Sequence, residues 1–306
     1  MDRLFEKQYM PAANVASCLQ LAEDTASCLT YSRQEWTGFL KTTARLYKYP
    51  YHEQLMIYAQ RPDATACAEY DLWNNKMRRY VRRGSKGIAL VDNTGGQPKL
   101  RYVFDVADTG KRENSVEYQP WMLTEENAQA AGLALENGYD APASEGLERQ
   151  IHAAANQLAR NYWLDHQHEI SGIVDGSFLE GYDEFNVGAA FRKAASVSLE
   201  YALLSRCGLE PDARFEHEDF LPIFDWNTPE AVAALGTAVS EMSEEVLRTV
   251  EISVRNYERS HEHERDHLSA ERGLSGSQPD RQPNGASHRQ ARQDAQDVPK
   301  GESSNI

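Results

Sequence analysis

From Ser32 the apolar positions recur at a helical interval, with Trp36, Phe39, Leu40 and Tyr47 on one face. Ser32-x-x-Glu35 ahead of them has the form of a capping box, and Pro50 predicts the end of that helix. A short helix is predicted over Glu53–Gln60, stopping before Pro62, and a third over Ala66–Asn75; upstream, a helix is predicted from Asn14 to about Leu21. The period then changes. Tyr80-Val81, Ile88–Val91 and Leu100–Val106 predict three short strands, separated by Gly84-Ser85-Lys86-Gly87 and by Asn93–Pro98. In the third strand Leu100, Tyr102, Phe104 and Val106 alternate with Lys99, Arg101, Val103 and Asp105, as in a half-buried antiparallel meander packed on helices.

Beyond residue 124 the pattern is helical, over Thr124–Asn137, Glu145–His168, Ala189–Cys207 and Pro229 to about Arg265. Gly208 fits a helix C′ position, and Thr228-Pro229 an N-cap followed by a first-turn proline. Phe215–Trp226, rich in aromatics and carboxylates, predicts a short helix plus loop. After Leu268 the composition collapses to Ser, Gln, Arg, Asp, Gly and Pro without an aromatic residue, which predicts disorder. The expected fold class is α+β: a small helix-plus-antiparallel-meander domain, then a mostly α-helical domain and a disordered C-terminal tail. The expected boundaries are 1–30 for an extension, 31–120 for the α+β domain, 121–267 for the helical domain and 268–306 for the tail.

The net charge of −15 over 306 residues argues against a polyanionic partner only when taken as one number. Residues 31–112 carry 15 Lys/Arg against 8 Asp/Glu, a balance of +7, whereas 113–270 carry 10 against 30, a balance of −20. The two halves are electrostatically opposite. No apolar run reaches the ~20 residues a membrane span requires, so no membrane partner is expected. The first seven residues lack a secretory pattern, and Cys18, Cys28, Cys67 and Cys207 show no metal or disulfide spacing. A cytoplasmic location with reduced cysteines is the expectation.

The chemistry with the sharpest pattern is the run Lys76, Arg78, Arg79, Arg82, Arg83 and Lys86, free of acidic residues, with Tyr80 inside it and Trp73 just ahead. Clustered cations release condensed counterions together when they meet a phosphate backbone, and flat rings offer stacking platforms for bases. The turn from Gly84 to Gly87 would expose backbone N–H groups beside a lysine, which suits a phosphate oxygen. The same run fits a solvated hairpin, or one docked on the acidic half of the chain. Trp73 and Tyr80 fit core positions as well as stacking ones.

Four stretches, Tyr49–Tyr58, Tyr70–Trp73, Arg79–Ile88 and Tyr102–Val106, together resemble the N-terminal domain of ArdC-type antirestriction proteins. Tyr-Val-Arg-Arg-Gly-Ser-Lys-Gly followed by Val-Phe-Asp-Val carries that resemblance over about 60 residues. The longer pattern, with Tyr-Lys-Tyr-Pro-Tyr-His and Arg-Pro-Asp-Ala-Thr-Ala, is similar to the N-terminal region of large helicase/methylase proteins of conjugative elements. The resemblance implies single-stranded DNA as partner, with other DNA-processing proteins of a mobile element as further partners. By match to the family's signature Trp73, Arg79, Arg82, Arg83, Gly84, Lys86 and Gly87 are candidate contacts, and the basic segment adds Lys76, Arg78, Tyr80, Lys99 and Arg101.

Such proteins continue into a metallopeptidase-like domain, whose helical second half Ala194–Leu209 and Asp219–Arg255 faintly resemble. The metal-binding helix is missing at that place, where His166-Gln167-His168-Glu169 has the wrong spacing. His263-Glu264-Arg265-Asp266-His267 does match a zincin pattern, but charged neighbours and the adjoining tail deny it the dry setting that catalysis needs. No phosphate loop, dinucleotide fingerprint or methyltransferase motif occurs. Asp175, Glu180, Asp183 and Glu184 cluster as a solvated loop or a mimic of DNA charge would. The expectation is a non-catalytic single-stranded DNA-binding module without cofactor or metal. The runner-up is a protein-interaction module acting through the acidic half.

Overall fold

The computed structural model describes residues 14–274, with side chains to His263. Helix α1 (Val15–Leu29) starts at a reciprocal cap, in which Asn14 Oδ1 accepts from Ser17 N–H and Ser17 Oγ from Asn14 N–H. Helix α2 (Arg33–Arg45) is capped by Ser32, whose Oγ accepts from Glu35 N–H. It ends before Pro50, which instead serves as the N-cap residue of α3 (Tyr51–Gln60). The helix predicted over Ala66–Asn75 forms only in its second half, from Tyr70. Strand β1 (Cys67–Glu69) takes the first half, and the second is a short helix that winds as a π-helix over Leu72–Lys76. Cys67 and its neighbours are drawn into the sheet by ladder partners more than 30 residues away, which a local pattern does not register.

Four further strands follow: β2 (Arg79–Val81), β3 (Ile88–Asp92), β4 (Lys99–Asp105) and β5 (Thr109–Lys111). The first sheet runs β1-β4-β3, all antiparallel, with Val103 opposite both Ile88 and Glu69. Strand β2 leaves that sheet and pairs with β5. The turn at Gly84–Gly87 therefore joins two sheets, and only Asn93–Pro98 closes a hairpin. In β4 the fully buried side chains are Val103 and Asp105, while Tyr102 is exposed. Asp105 can be inside because its Oδ2 accepts from the N–H groups of Thr65 and Ala66, and its Oδ1 from that of Ala107. The outer edge of β3 is completed by a side chain: the buried Gln60 amide donates to Ala89 O (2.8 Å) and accepts from Ala89 N–H (2.9 Å).

The helical remainder consists of α4 (Ala128–Gly138), α5 (Leu147–Gly172), α6 (Glu184–Arg206) and α7 (Pro229–Leu274). Helix α6 ends in a Schellman arrangement, with Leu209 N–H to Leu204 O and Gly208 N–H to Ser205 O. Thr228 caps α7 through Ala231 N–H. Short 3₁₀ turns at Pro211–Ala213 and Glu218–Ile223 fill the stretch between α6 and α7. Helix α7 continues past the predicted end near Arg265 to Leu274; the remainder of the predicted tail lies outside the described residues.

The described residues from Asn14 to His261 belong to one compact unit. Its buried aromatics include Trp36, Trp226, Tyr201 and Phe191, each contributing roughly 2–3 kcal/mol through burial. Trp36 Nε1 donates to Ser198 Oγ across α2 and α6, and Tyr51 packs so closely on α7 that a Cβ at Gly236 would lie 2.1 Å from its ring. Among the described residues no helix is long and apolar enough to cross a membrane.

Candidate nucleic-acid interface

The ribbon of β2 and β5 sorts the predicted contacts into two sets. Tyr80 lies opposite Gly110, where a Cβ would come within 2.3 Å of the Tyr80 ring. Only glycine leaves that ring its place, 43% exposed above the ribbon. Strand alternation turns Arg79 the other way. It is 6% exposed, and its Nε donates to Thr109 Oγ1 at 2.7 Å. Trp73 is also internal, with Nε1 donating to Phe104 O at 2.8 Å. Both are structural residues, so the stacking role given to Trp73 and the phosphate role given to Arg79 are withdrawn.

Lys99 and Arg101 leave the candidate set for an electrostatic reason. Lys99 pairs with Asp92 at 3.3 Å. The Thr94 hydroxyl and N–H, with the Lys99 ammonium, hold that carboxyl down at about 2. Arg101 forms a fork on Glu53 (2.6 Å) and Glu69 (3.1 Å). Arg61 is likewise held by Asp108, and Lys111 by Glu117.

Lys76, Arg78, Arg82, Arg83 and Lys86 are exposed, and among the described residues none of them is ion-paired. Arg78 adopts φ +52°, the only positive φ among described non-glycine residues, and its carbonyl accepts from Ser115 Oγ. Arg82 is anchored by its backbone N–H on Asp108 O (2.8 Å) and by its guanidinium on Ala107 O (2.7 Å), leaving its charge without a carboxylate. Gly84 takes φ +89°, which lets Ser85 N–H turn back onto Arg82 O. That bond removes Ser85 N–H from the predicted phosphate nest, and Gly87 is half-buried beneath Tyr102 and Phe104.

Sequence reasoning missed Arg112. Its guanidinium lies 6.0 Å from the Tyr80 ring centroid and donates to Asn74 Oδ1 at 2.7 Å, and it too lacks an ion pair among the described residues. It joins the site only because β5 pairs with β2, a long-range pairing with no local signature. The arrangement is an exposed ring with Arg112 beside it and five further exposed cations within six positions of it along the chain, carried by short strands and turns rather than by an α-helix.

Behind this face a cleft of about 760 Å³ is lined by Tyr47, Tyr49, Tyr118 and Trp121, among others. Its polar groups largely answer one another. Tyr47 donates to Glu251, Lys48 pairs with Glu251, and Arg206 and Arg255 donate to the carbonyls of Trp121 and Gln119.

Of the predicted zincin pattern, His263 is an exposed residue of α7, while the side chains from Glu264 to His267 lie outside the described residues. His166 stacks on Tyr162 (4.2 Å) and His168 approaches Glu184 (3.7 Å). No group of three or more His, Cys, Asp or Glu among the described residues is arranged to hold a metal ion. No family model, curated protein or solved structure matches the chain.

Proposed function

We propose that this chain binds single-stranded DNA without sequence readout, as a non-catalytic accessory module in the DNA-processing or antirestriction system of a mobile element. The observation that carries the reading is the contrast within one basic segment. Lys99, Arg101, Arg61 and Lys111 are each matched by the protein's own carboxylates, while Lys76, Arg78, Arg82, Arg83, Lys86 and Arg112 around Tyr80 are not. Cations kept apart from internal acids stay available to neutralise phosphates and so to release the counterions condensed on the nucleic acid, which drives backbone binding. The exposed Tyr80 ring adds a face for an unpaired base, worth roughly 1–3 kcal/mol where stacking occurs. The assignment to a mobile-element system rests on the resemblance of the Arg79–Ile88 and Tyr102–Val106 stretches to ArdC-type domains.

The test is fluorescence anisotropy of a labelled oligothymidylate against the full chain and against Arg78→Ala/Arg83→Ala/Lys86→Ala. Binding by the wild type that weakens at least tenfold in the variant is the expected result. Equal binding by both, or none by the wild type at low salt, overturns the proposal.

A further inference from the structure

Far from the basic face, three large aromatic side chains point outward within eight residues: Phe178 is 69% exposed, Tyr182 56% and Phe185 76%. They lie on the loop from α5 to α6 and on the first turn of α6. Two hydrogen bonds within the loop, Ser177 N–H to Val174 O and Tyr182 N–H to Leu179 O, and one leaving it, Phe178 N–H to Asn227 Oδ1, hold its shape. The last bond brings the start of α7 beside the loop, so three helix ends converge there. Their exposed charges are of one sign. Asp175, Glu180, Asp183 and Glu184 come from the loop and α6, Glu169 from α5 and Glu230 from α7. No Lys or Arg occurs between residues 161 and 191. Helix α7 carries the chain from Glu230 to Glu251, about 30 Å at 1.5 Å per residue, before it reaches Tyr47 and the cleft behind the basic face.

A solvated acidic loop does not need three exposed rings, and exposed apolar clusters rimmed by charge mark contact surfaces. The same chain presents the complementary surface: unpaired cations around the exposed Tyr80, with Tyr102 also outward. We infer that the acidic aromatic tip of one copy docks on the basic face of a second copy. Each such contact uses one tip and one basic face, so a pair joined by a single contact keeps one patch of each copy free for further association. Where the basic face also binds DNA, as proposed above, DNA and the second copy compete for it. The docking itself does not rest on that reading.

The experiment is sedimentation velocity on the full chain at low and high salt, with two surface variants checked for fold by circular dichroism. One removes the rings (Phe178→Ser/Tyr182→Ser/Phe185→Ser) and the other reverses the opposite charge (Arg83→Glu/Lys86→Glu). The wild type is expected to associate with rising concentration at ~50 mM salt and to return to monomer near ~0.5 M, since charge attraction is screened over a few ångströms there. Each variant alone is expected to be largely monomeric. An equimolar mixture is expected to form a dimer, because the ring variant keeps its basic face and the charge variant its tip. A wild type monomeric at ~100 µM and low salt overturns the inference, and so do a charge variant that still dimerises alone and a mixture that stays monomeric. A monomeric wild type whose tip binds an added Lys/Arg-rich peptide also overturns it, by giving the tip another occupant. Oligonucleotide binding by the monomeric ring variant reports on the DNA reading separately.

Discussion

The number of cations left unpaired by the fold sets how steeply DNA binding should fall with salt. Each phosphate contact on a single strand contributes about −0.7 to the slope of log K against log salt. Six open cations, Lys76, Arg78, Arg82, Arg83, Lys86 and Arg112, give a slope near −4 when all engage. Affinity would then drop about 300-fold between 50 and 200 mM salt. Arg83→Ala/Lys86→Ala removes two contacts at side chains that make no bond among the described residues, so the slope should flatten to about −3 with no loss of fold. Lys99→Ala is the control. Its ammonium already faces Asp92, so removing it should leave the slope where it was, although a freed carboxylate can lower affinity uniformly. The assay is an anisotropy titration of an oligothymidylate at four or more salt concentrations for all three proteins. A wild-type slope shallower than about −1, or a Lys99→Ala effect equal to that of Arg83→Ala/Lys86→Ala, would refute the division of cations into open and matched.

Three further outcomes are expected. Gly110→Ala puts a methyl where the Tyr80 ring lies, so binding should weaken while the melting transition moves little; unchanged binding would show that the ring position is unimportant. Gln60→Leu strips the edge of β3 of a donor and an acceptor, leaving Ala89 N–H buried without its partner and Ala89 C=O with only the weak Cys18 thiol donor (3.4 Å). Urea unfolding should register a loss of about 1–3 kcal/mol, and no measurable loss would contradict the edge-capping role. Stability should also fall in acid. The Lys41 hydrogen bond first, then Tyr201 and Arg33, lower the Asp212 carboxyl; at Glu251, burial acts upward but Lys48 and Tyr47 outweigh it. Depressed carboxylates contribute stability that is complete above their ordinary values of 3.8 and 4.5 and is lost as pH drops through the lowered ones. Asp212→Asn should flatten that acid limb in a pH series of urea midpoints, and an unaltered limb would assign it elsewhere.

What the sequence disclosed and what it withheld follow from how far apart the deciding groups lie along the chain. The cap at Ser32, the Schellman end at Gly208 and the start of α7 at Thr228 each depend on residues within five positions, and local pattern finds them. The partner of β2 does not. Tyr80-Val81 carries no mark that Thr109–Lys111, rather than Ile88–Val91, will lie beside it. That one pairing decides the site, because it turns Arg79 inward onto Thr109, seats Tyr80 over Gly110 and brings Arg112 to the ring. The same distance hid which cations are open. Arg101 and Arg83 are both arginines in a basic segment, but Arg101 finds Glu53 and Glu69, 48 and 32 positions away. Charge composition measures how many cations a segment holds, whereas binding depends on how many the fold leaves without an acid. In this chain the first quantity is read from residues 31–112 as a sum, and the second exists only once helix α3 and strand β1 have delivered their carboxylates to strand β4.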